Sequence, residues 1–406
     1  MSVPLSDARP FGRIPGWVPW VALAALSGLG AAGTRAAAAG DLMKFAAAGE
    51  AMVRGDLGSV YADPWMQAGP FEILGSLAML PLPFEHHNSF LEDSGFGAMI
   101  PVHLAGGVLI VLALGLTIGW ARRAGGLPPA PRLTFLAVAL AFALRLPWST
   151  FEGGHLSQVV VPFCWLWAAR AAGRGRPALA GLLVGLSAGW EPWGVLAAPV
   201  LLLDPGIASP RQDLPATVRR LAGGAAALVA GAVLPYAPFV ATGRFALFDH
   251  EWFALRGSLV ELWLGPEQPV TWAMRAAQGG LALTAGTAVA LALRGRREGL
   301  WAVPMAVQVV RLLLDPLALN YYWFPLLVLA LVGLGTLTAT ASRREVAVAV
   351  GLVVVPQLQG LPGQQAPSPV AVAGLLVTAV LLVVAVSRPG PGRLRRPALL
   401  PDPAQP

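Results

Sequence analysis

Charge is scarce in this chain. Only 12% of its 406 residues are Asp, Glu, Lys or Arg, against roughly 25% in an ordinary soluble domain. That shortfall excludes a water-exposed surface of ordinary make-up. Lysine is nearly missing: Lys44 is the only one, and every other basic residue is arginine. Cysteine is limited to Cys164, so no internal disulfide forms and cysteine use says nothing of the redox compartment. The alternating strands of an outer-membrane barrel do not occur. Nor does a phosphate-cradling glycine loop on the cytoplasmic side, which removes support for nucleotide-sugar or ATP chemistry. No aromatic–basic module supports nucleic-acid binding, so the net charge of +7 needs another origin.

What the chain has is apolar runs, which recur from Gly16 to Ser387 in a sequence that is 56% hydrophobic. A helix needs roughly 20 residues to cross a ~30 Å hydrocarbon core. Lipid forces each such segment to satisfy its own backbone, which a helix does. The predicted fold is therefore all-α: a polytopic transmembrane bundle of about 10–12 helices, with residues 1–387 as one domain and a disordered cytoplasmic tail over 388–406. Pro177–Leu203 reads either as two spans or as one long, broken span, and Val346–Pro356 is short enough to be re-entrant. The polar N-terminal lead shows no small-x-small cleavage signal, so the first apolar run is expected to be retained.

The arginines orient the bundle. With both termini inside, twenty of the 28 basic residues fall on cytoplasmic loops and tails, whereas fifteen of the 21 acids and all five histidines fall outside. This is the positive-inside pattern, and it accounts for the net charge. Alanine, glycine and arginine dominance points to a GC-rich bacterial source, hence to the bacterial inner membrane. The longest loops, residues 34–96 and 241–275, are both outer ones, which places the expected working face there.

The first outer loop carries the strongest signal. Asp41 follows the first span; Leu42, Phe45, Met52 and Val53 then fall near one helical face, and Gly55 is a plausible stop. This predicts an interfacial amphipathic helix. Tyr61, Pro64 and Trp65 read as an aromatic turn, and Phe71–Leu82 as a second interfacial or re-entrant helix. Asp41 has two compatible readings: an N-cap accepting free N–H groups, or a general base at the membrane surface.

An aspartate just past the first span, a short amphipathic helix, Gly55 and Tyr61, then Gly69-Pro70 opening an apolar helix together resemble the membrane-embedded C-type glycosyltransferases. Within that superfamily the chain is most similar to bacterial polyprenyl-phosphate-mannose-dependent mannosyltransferases. The Gly154-His155-Leu156 run ending at Gln158, the Ala180–Leu186 stretch leading to Trp190-Glu191-Pro192-Trp193, and the Arg311–Tyr322 segment extend the resemblance over most of the chain. It implies inverting transfer of a sugar, mannose in those relatives, from a polyprenyl phosphate to a glycolipid or glycan hydroxyl on the non-cytoplasmic face. Asp41 would be the base, and no cofactor is implied. One departure is Glu191, where relatives often carry a basic residue.

Other constellations admit two readings each. Arg311 and Asp315 share a helix face, as a structural ion pair or as a clamp on the donor phosphate. Tyr321 and Tyr322 are interfacial anchors or sugar contacts. Glu152, His155 and Gln158 are capping and surface residues or line an acceptor site. Glu191, between Trp190 and Trp193, sits at a helix break. Arg244, Arg256 and Arg275 are solvated or meet lipid phosphates. Glu85-His86-His87 and Glu92-Asp93 lack a recognised metal spacing, so no metal is expected. A multi-span transporter or lipid flippase, and a non-catalytic envelope-assembly protein, remain as alternatives. An enzyme should hold its largest polar cavity beside Asp41, a transporter one reaching the bilayer midplane.

Overall fold

A computed structural model describes residues 16–32, 40–78, 95–144, 146, 155–207, 214–242, 244–249, 252–317, 319–338, 340–360 and 369–387. Among these residues the chain is helical, with one isolated bridge between Phe253 and Pro269 and no strand. The longer helices are α1 (Val18–Ala32), α2 (Gly40–Val53), α3 (Pro70–Leu77), α4 (Gly95–Ala124), α5 (Pro131–Ala143), α6 (Ser157–Gly173) and α7 (Pro177–Ala188). A 3₁₀ segment, Pro192–Leu203, follows, and then α8 (Leu214–Val233), α9 (Trp272–Ala292), α10 (Gly299–Leu313), α11 (Phe324–Gly335), α12 (Arg343–Val354) and α13 (Pro369–Val386). Three helical stretches, His103–Ala124, Leu214–Val233 and Pro369–Val386, are long and apolar enough to cross a membrane, and six shorter apolar helices accompany them.

The Pro177–Leu203 stretch is broken at Glu191. Its second half winds as a 3₁₀ helix of twelve residues with Pro192 at its start and Pro199 inside it. At ~2.0 Å per residue this covers about 24 Å, further than an α-helix of the same length.

Arg122, Arg220 and Arg296 mark one end of the bundle, the arginine end. Arg122, in the last turn of α4, donates to the carbonyls of Pro128, Gly335 and Leu337. Arg220 of α8 pairs with Asp204 at 2.9 Å and donates to Gly175. Arg296, just before α10, reaches the carbonyl of Val386 at the end of α13. The opposite ends of the same elements meet one another. Tyr236 donates to Ala188, Gln278 to the Arg311 carbonyl and Gln308 to the Tyr322 carbonyl. Successive helices therefore run back and forth between an arginine end and an acid-bearing end.

At the centre lie α10 and α11. All twelve residues of α11 are buried, as are nearly all of α10, as expected of helices apolar all round. By contrast α8 buries only Gly224 and Gly231. It packs on α7 through small residues: a Cβ on Gly181 would lie 1.9 Å from the Gly224 carbonyl oxygen, and one on Gly185 2.2 Å from that of Leu228. This is backbone-to-backbone packing of the small-xxx-small kind. Over the acid-bearing end sits a second, smaller core of Phe45, Val60, Tyr61, Met66, Ile73, Tyr236 and Phe239.

Candidate functional site

The amphipathic α2 stops at Gly55, whose φ of +81° suits glycine. Leu42 and Phe45 are buried, but Val53 is exposed and does not share their face. Asp41 lies inside the first turn of α2 rather than at its cap. Its Oδ2 is instead 3.2 Å from His155 Nε2, with the aspartate side chain 40% exposed and the histidine 9%. With the carboxylate ionised, Nε2–H is the donor. Asp41 Oδ1 has no hydrogen-bond partner among the described residues.

His155 is fixed from three sides. Its ring stacks on Tyr321 at 3.9 Å between centroids, and Phe45 meets it edge-on at 5.3 Å. Glu72 of α3 fixes it through the backbone, accepting the Ser157 N–H at the start of α6. No side chain within α6 caps that terminus, so a carboxyl from another segment satisfies a free donor. The first turn of α3 is docked by Gly69 N–H to the Trp190 carbonyl and Phe71 N–H to the Gly189 carbonyl. A Cβ on Gly69 would fall 2.2 Å from the Gly189 oxygen, so only glycine allows that approach. Burial raises the Glu72 carboxyl well above its ordinary range; the neighbouring Glu191 adds to this, and the Ser157 amide opposes it.

Beyond Tyr321 the cluster turns cationic. Tyr322 meets Tyr321 edge-on at 4.8 Å, and the buried Arg311 guanidinium lies 4.7 Å from the Tyr322 ring centroid and 4.0 Å from that of Trp193. Arg311 pairs with Asp315 at 3.4 Å, and Asp315 is shared with Arg275 of α9 at 3.2 Å. Arg311 Nη1 is buried with no hydrogen-bond partner among the described residues. Glu191 stands within electrostatic reach of both His155 and Arg311.

Of the side chains singled out in the sequence, Asp41, His155, Glu191, Arg311, Asp315 and Tyr322 therefore come together, from five separate segments. Tyr61 is placed elsewhere. It is fully buried against Tyr236, Phe239 and Phe245, and its hydroxyl donates to the Ala68 carbonyl at 2.9 Å. Burial, then Tyr236 and Glu191, push its phenol well above its ordinary value. It is a packed residue that holds the turn into α3. Glu152, Glu85-His86-His87 and Glu92-Asp93 lie outside the described residues, as does the 388–406 tail. Among the described residues no group of three His, Cys, Asp or Glu is placed to hold a metal ion.

Sequence reasoning missed Glu72, hidden in the apolar Phe71–Leu82 stretch. An acid inside an otherwise apolar helix was the available signal. Arg275, expected in solvent or against lipid phosphate, is an ion-pair partner of Asp315. Two cavities, of about 380 and 140 Å³, both lie at the arginine end, and neither is lined by Asp41. Residues 33–39, 79–94 and 147–154, which adjoin the site in sequence, are outside the described residues.

No known family model matches the chain, and no curated protein matches it.

Proposed function

We propose that the chain is an integral membrane glycosyltransferase of about twelve spans in the bacterial inner membrane. The arginine end and both termini face the cytoplasm, and the Asp41 cluster faces the other side. It moves a sugar, mannose by resemblance, from a polyprenyl phosphate to a glycolipid or glycan hydroxyl. The observation that carries this reading is the Asp41–His155 pair stacked on Tyr321, in one connected cluster with a buried arginine.

The chemistry follows from the parts. Asp41 Oδ1 takes the proton of the acceptor hydroxyl as the acceptor oxygen attacks the anomeric carbon. The bond from that carbon to the phosphate oxygen breaks, the configuration inverts, and polyprenyl phosphate departs. His155 fixes the carboxylate through Oδ2. Arg311, whose Nη1 has no hydrogen-bond partner among the described residues and whose partner Asp315 is shared with Arg275, suits the phosphate of the donor. Keeping the polyprenyl tail in lipid throughout avoids a cost of ~0.8 kcal/mol per CH₂ exposed.

A donor screen tests the reading: purified protein in lipid vesicles is offered a range of sugars on polyprenyl phosphate with a glycolipid acceptor. Transfer from at least one lipid-linked donor and none from nucleotide sugars is the expected result. Transport of the intact lipid across the vesicle without cleavage of its sugar would point instead to the flippase alternative.

A further inference from the structure

The larger cavity, about 380 Å³, opens sideways between α1, α4 and α5 at the arginine end of the molecule. Its walls are apolar. Trp20 of α1 flanks it, and Leu112 and Leu116 of α4 line it as exposed apolar side chains. Its floor is cut away at Gly115 and Gly119, one helical turn apart. A Cβ added to Gly119 would meet nothing within 4 Å, and one added to Gly115 would meet the Trp20 ring only at 3.4 Å. The slot therefore runs along the helix axis with room to spare at its base.

One end of the slot is cationic. Arg122 is buried, and its guanidinium is held by the neutral carbonyls of Pro128, Gly335 and Leu337, with no acid paired to it among the described residues. A buried cation solvated only by carbonyls leaves its charge uncompensated and favours an anion beside it. Arg123, next in sequence, is exposed at the mouth and likewise has no ion-pair partner among the described residues. The N-terminus of α5 adjoins it, with no side chain capping its amides and a dipole of the same sign. Among the described residues nothing acidic lines the slot.

An apolar slot ending in uncompensated positive charge matches one class of molecule, a lipid with an anionic head, and basic pockets between helices on the cytoplasmic side are where such heads bind. We propose that this slot binds an anionic phospholipid of the cytoplasmic leaflet. One acyl chain lies over Gly115 and Gly119, and the phosphate lies at Arg123 under the field of Arg122. The site is at the opposite end of the molecule from Asp41 and takes part in no step of sugar transfer, so it stands or falls apart from that activity.

Native mass spectrometry of the full chain in detergent tests it, with phosphatidylglycerol and phosphatidylcholine titrated separately. A saturable one-to-one adduct with phosphatidylglycerol, weaker by about fivefold in Arg123→Gln, is expected. Gly119→Leu, which fills the slot where open space makes the change tolerable, should remove that adduct, and millimolar inorganic phosphate should not displace it. Equal retention of the two lipids, or a phosphatidylglycerol adduct unchanged in both variants, would overturn the proposal. So would displacement by phosphate alone, which would assign the arginines to a free anion.

Discussion

Glu72 shows how much a single side chain decides here. It satisfies the first amide of α6 and so sets where His155 stands against Asp41. Glu72→Ala leaves that buried N–H without a partner, a loss of about 1–3 kcal/mol. Glu72→Gln keeps an acceptor and should fold nearly normally. The pH dependence has a definite sign. Because the folded carboxyl titrates above its ordinary value of 4.5, its contribution is fully present below that value and is lost as pH rises through the folded one. Thermal melts in detergent should therefore show Glu72→Gln gaining on the parent chain as pH rises above 4.5. A gap that narrows with rising pH would remove the buried-acid account of this residue.

The individual ionisable residues of the cluster were legible in the sequence because acids and arginines stand out in a chain so poor in charge. Their company was not. Tyr321 read as a membrane anchor or a sugar contact, and only the backbone path brings it onto His155 and Trp193 onto Arg311. Arg275 looked like one more loop arginine until Asp315 faced it. Asp41 fitted an N-cap by position, yet its carboxylate reaches across to another segment instead of back to its own helix.

At the scale of elements, glycine spacing and capping set which helices touch. Gly181, Gly185, Gly224 and Gly231 let α7 and α8 meet at backbone distance, and that contact places the α7 end on which α3 docks. Gly185→Val has no flexible neighbour to displace and should cost at least about 3 kcal/mol. Loss of the monodisperse peak in size-exclusion chromatography is the readout; a normal peak and melting temperature would refute the close approach. A milder contrast is Ser342→Ala, which removes a capping box shared with Glu345 at the start of α12 and should cost about 1 kcal/mol.

The stop of α2 at Gly55, the start of α3 at Pro70 and the break within Pro177–Leu203 followed from the sequence. The 3₁₀ winding of Pro192–Leu203 did not, because composition alone does not separate it from an α-helix. Nor did the burial of Tyr61, whose partners Tyr236, Phe239 and Phe245 come from a distant segment.

For the whole molecule the governing feature is polarity along the bundle axis: arginines at one end, the acid–histidine–arginine cluster at the other. The arginine count predicts sidedness across a membrane, and helices returning to the same two ends give the chain two distinct faces. Sided labelling tests the orientation proposed for it. In a Cys164→Ser background, Trp263→Cys should react with an impermeant maleimide on intact cells, and Arg174→Cys only after permeabilisation. The reverse pattern would place the Asp41 cluster in the cytoplasm and end the case for a donor reached from the outer leaflet.

The proposed transfer depends most on Asp41, held at Oδ2 by a buried histidine and without a hydrogen-bond partner at Oδ1 among the described residues. Asp41→Asn preserves its shape and removes its basicity. The decisive measurement is single-turnover sugar transfer by this variant in vesicles, with donor binding measured in parallel. Transfer should fall about 10²- to 10⁴-fold, the usual contribution of a general base, while donor affinity and expression stay within about twofold of the parent. Turnover near that of the parent chain would contradict the assignment outright.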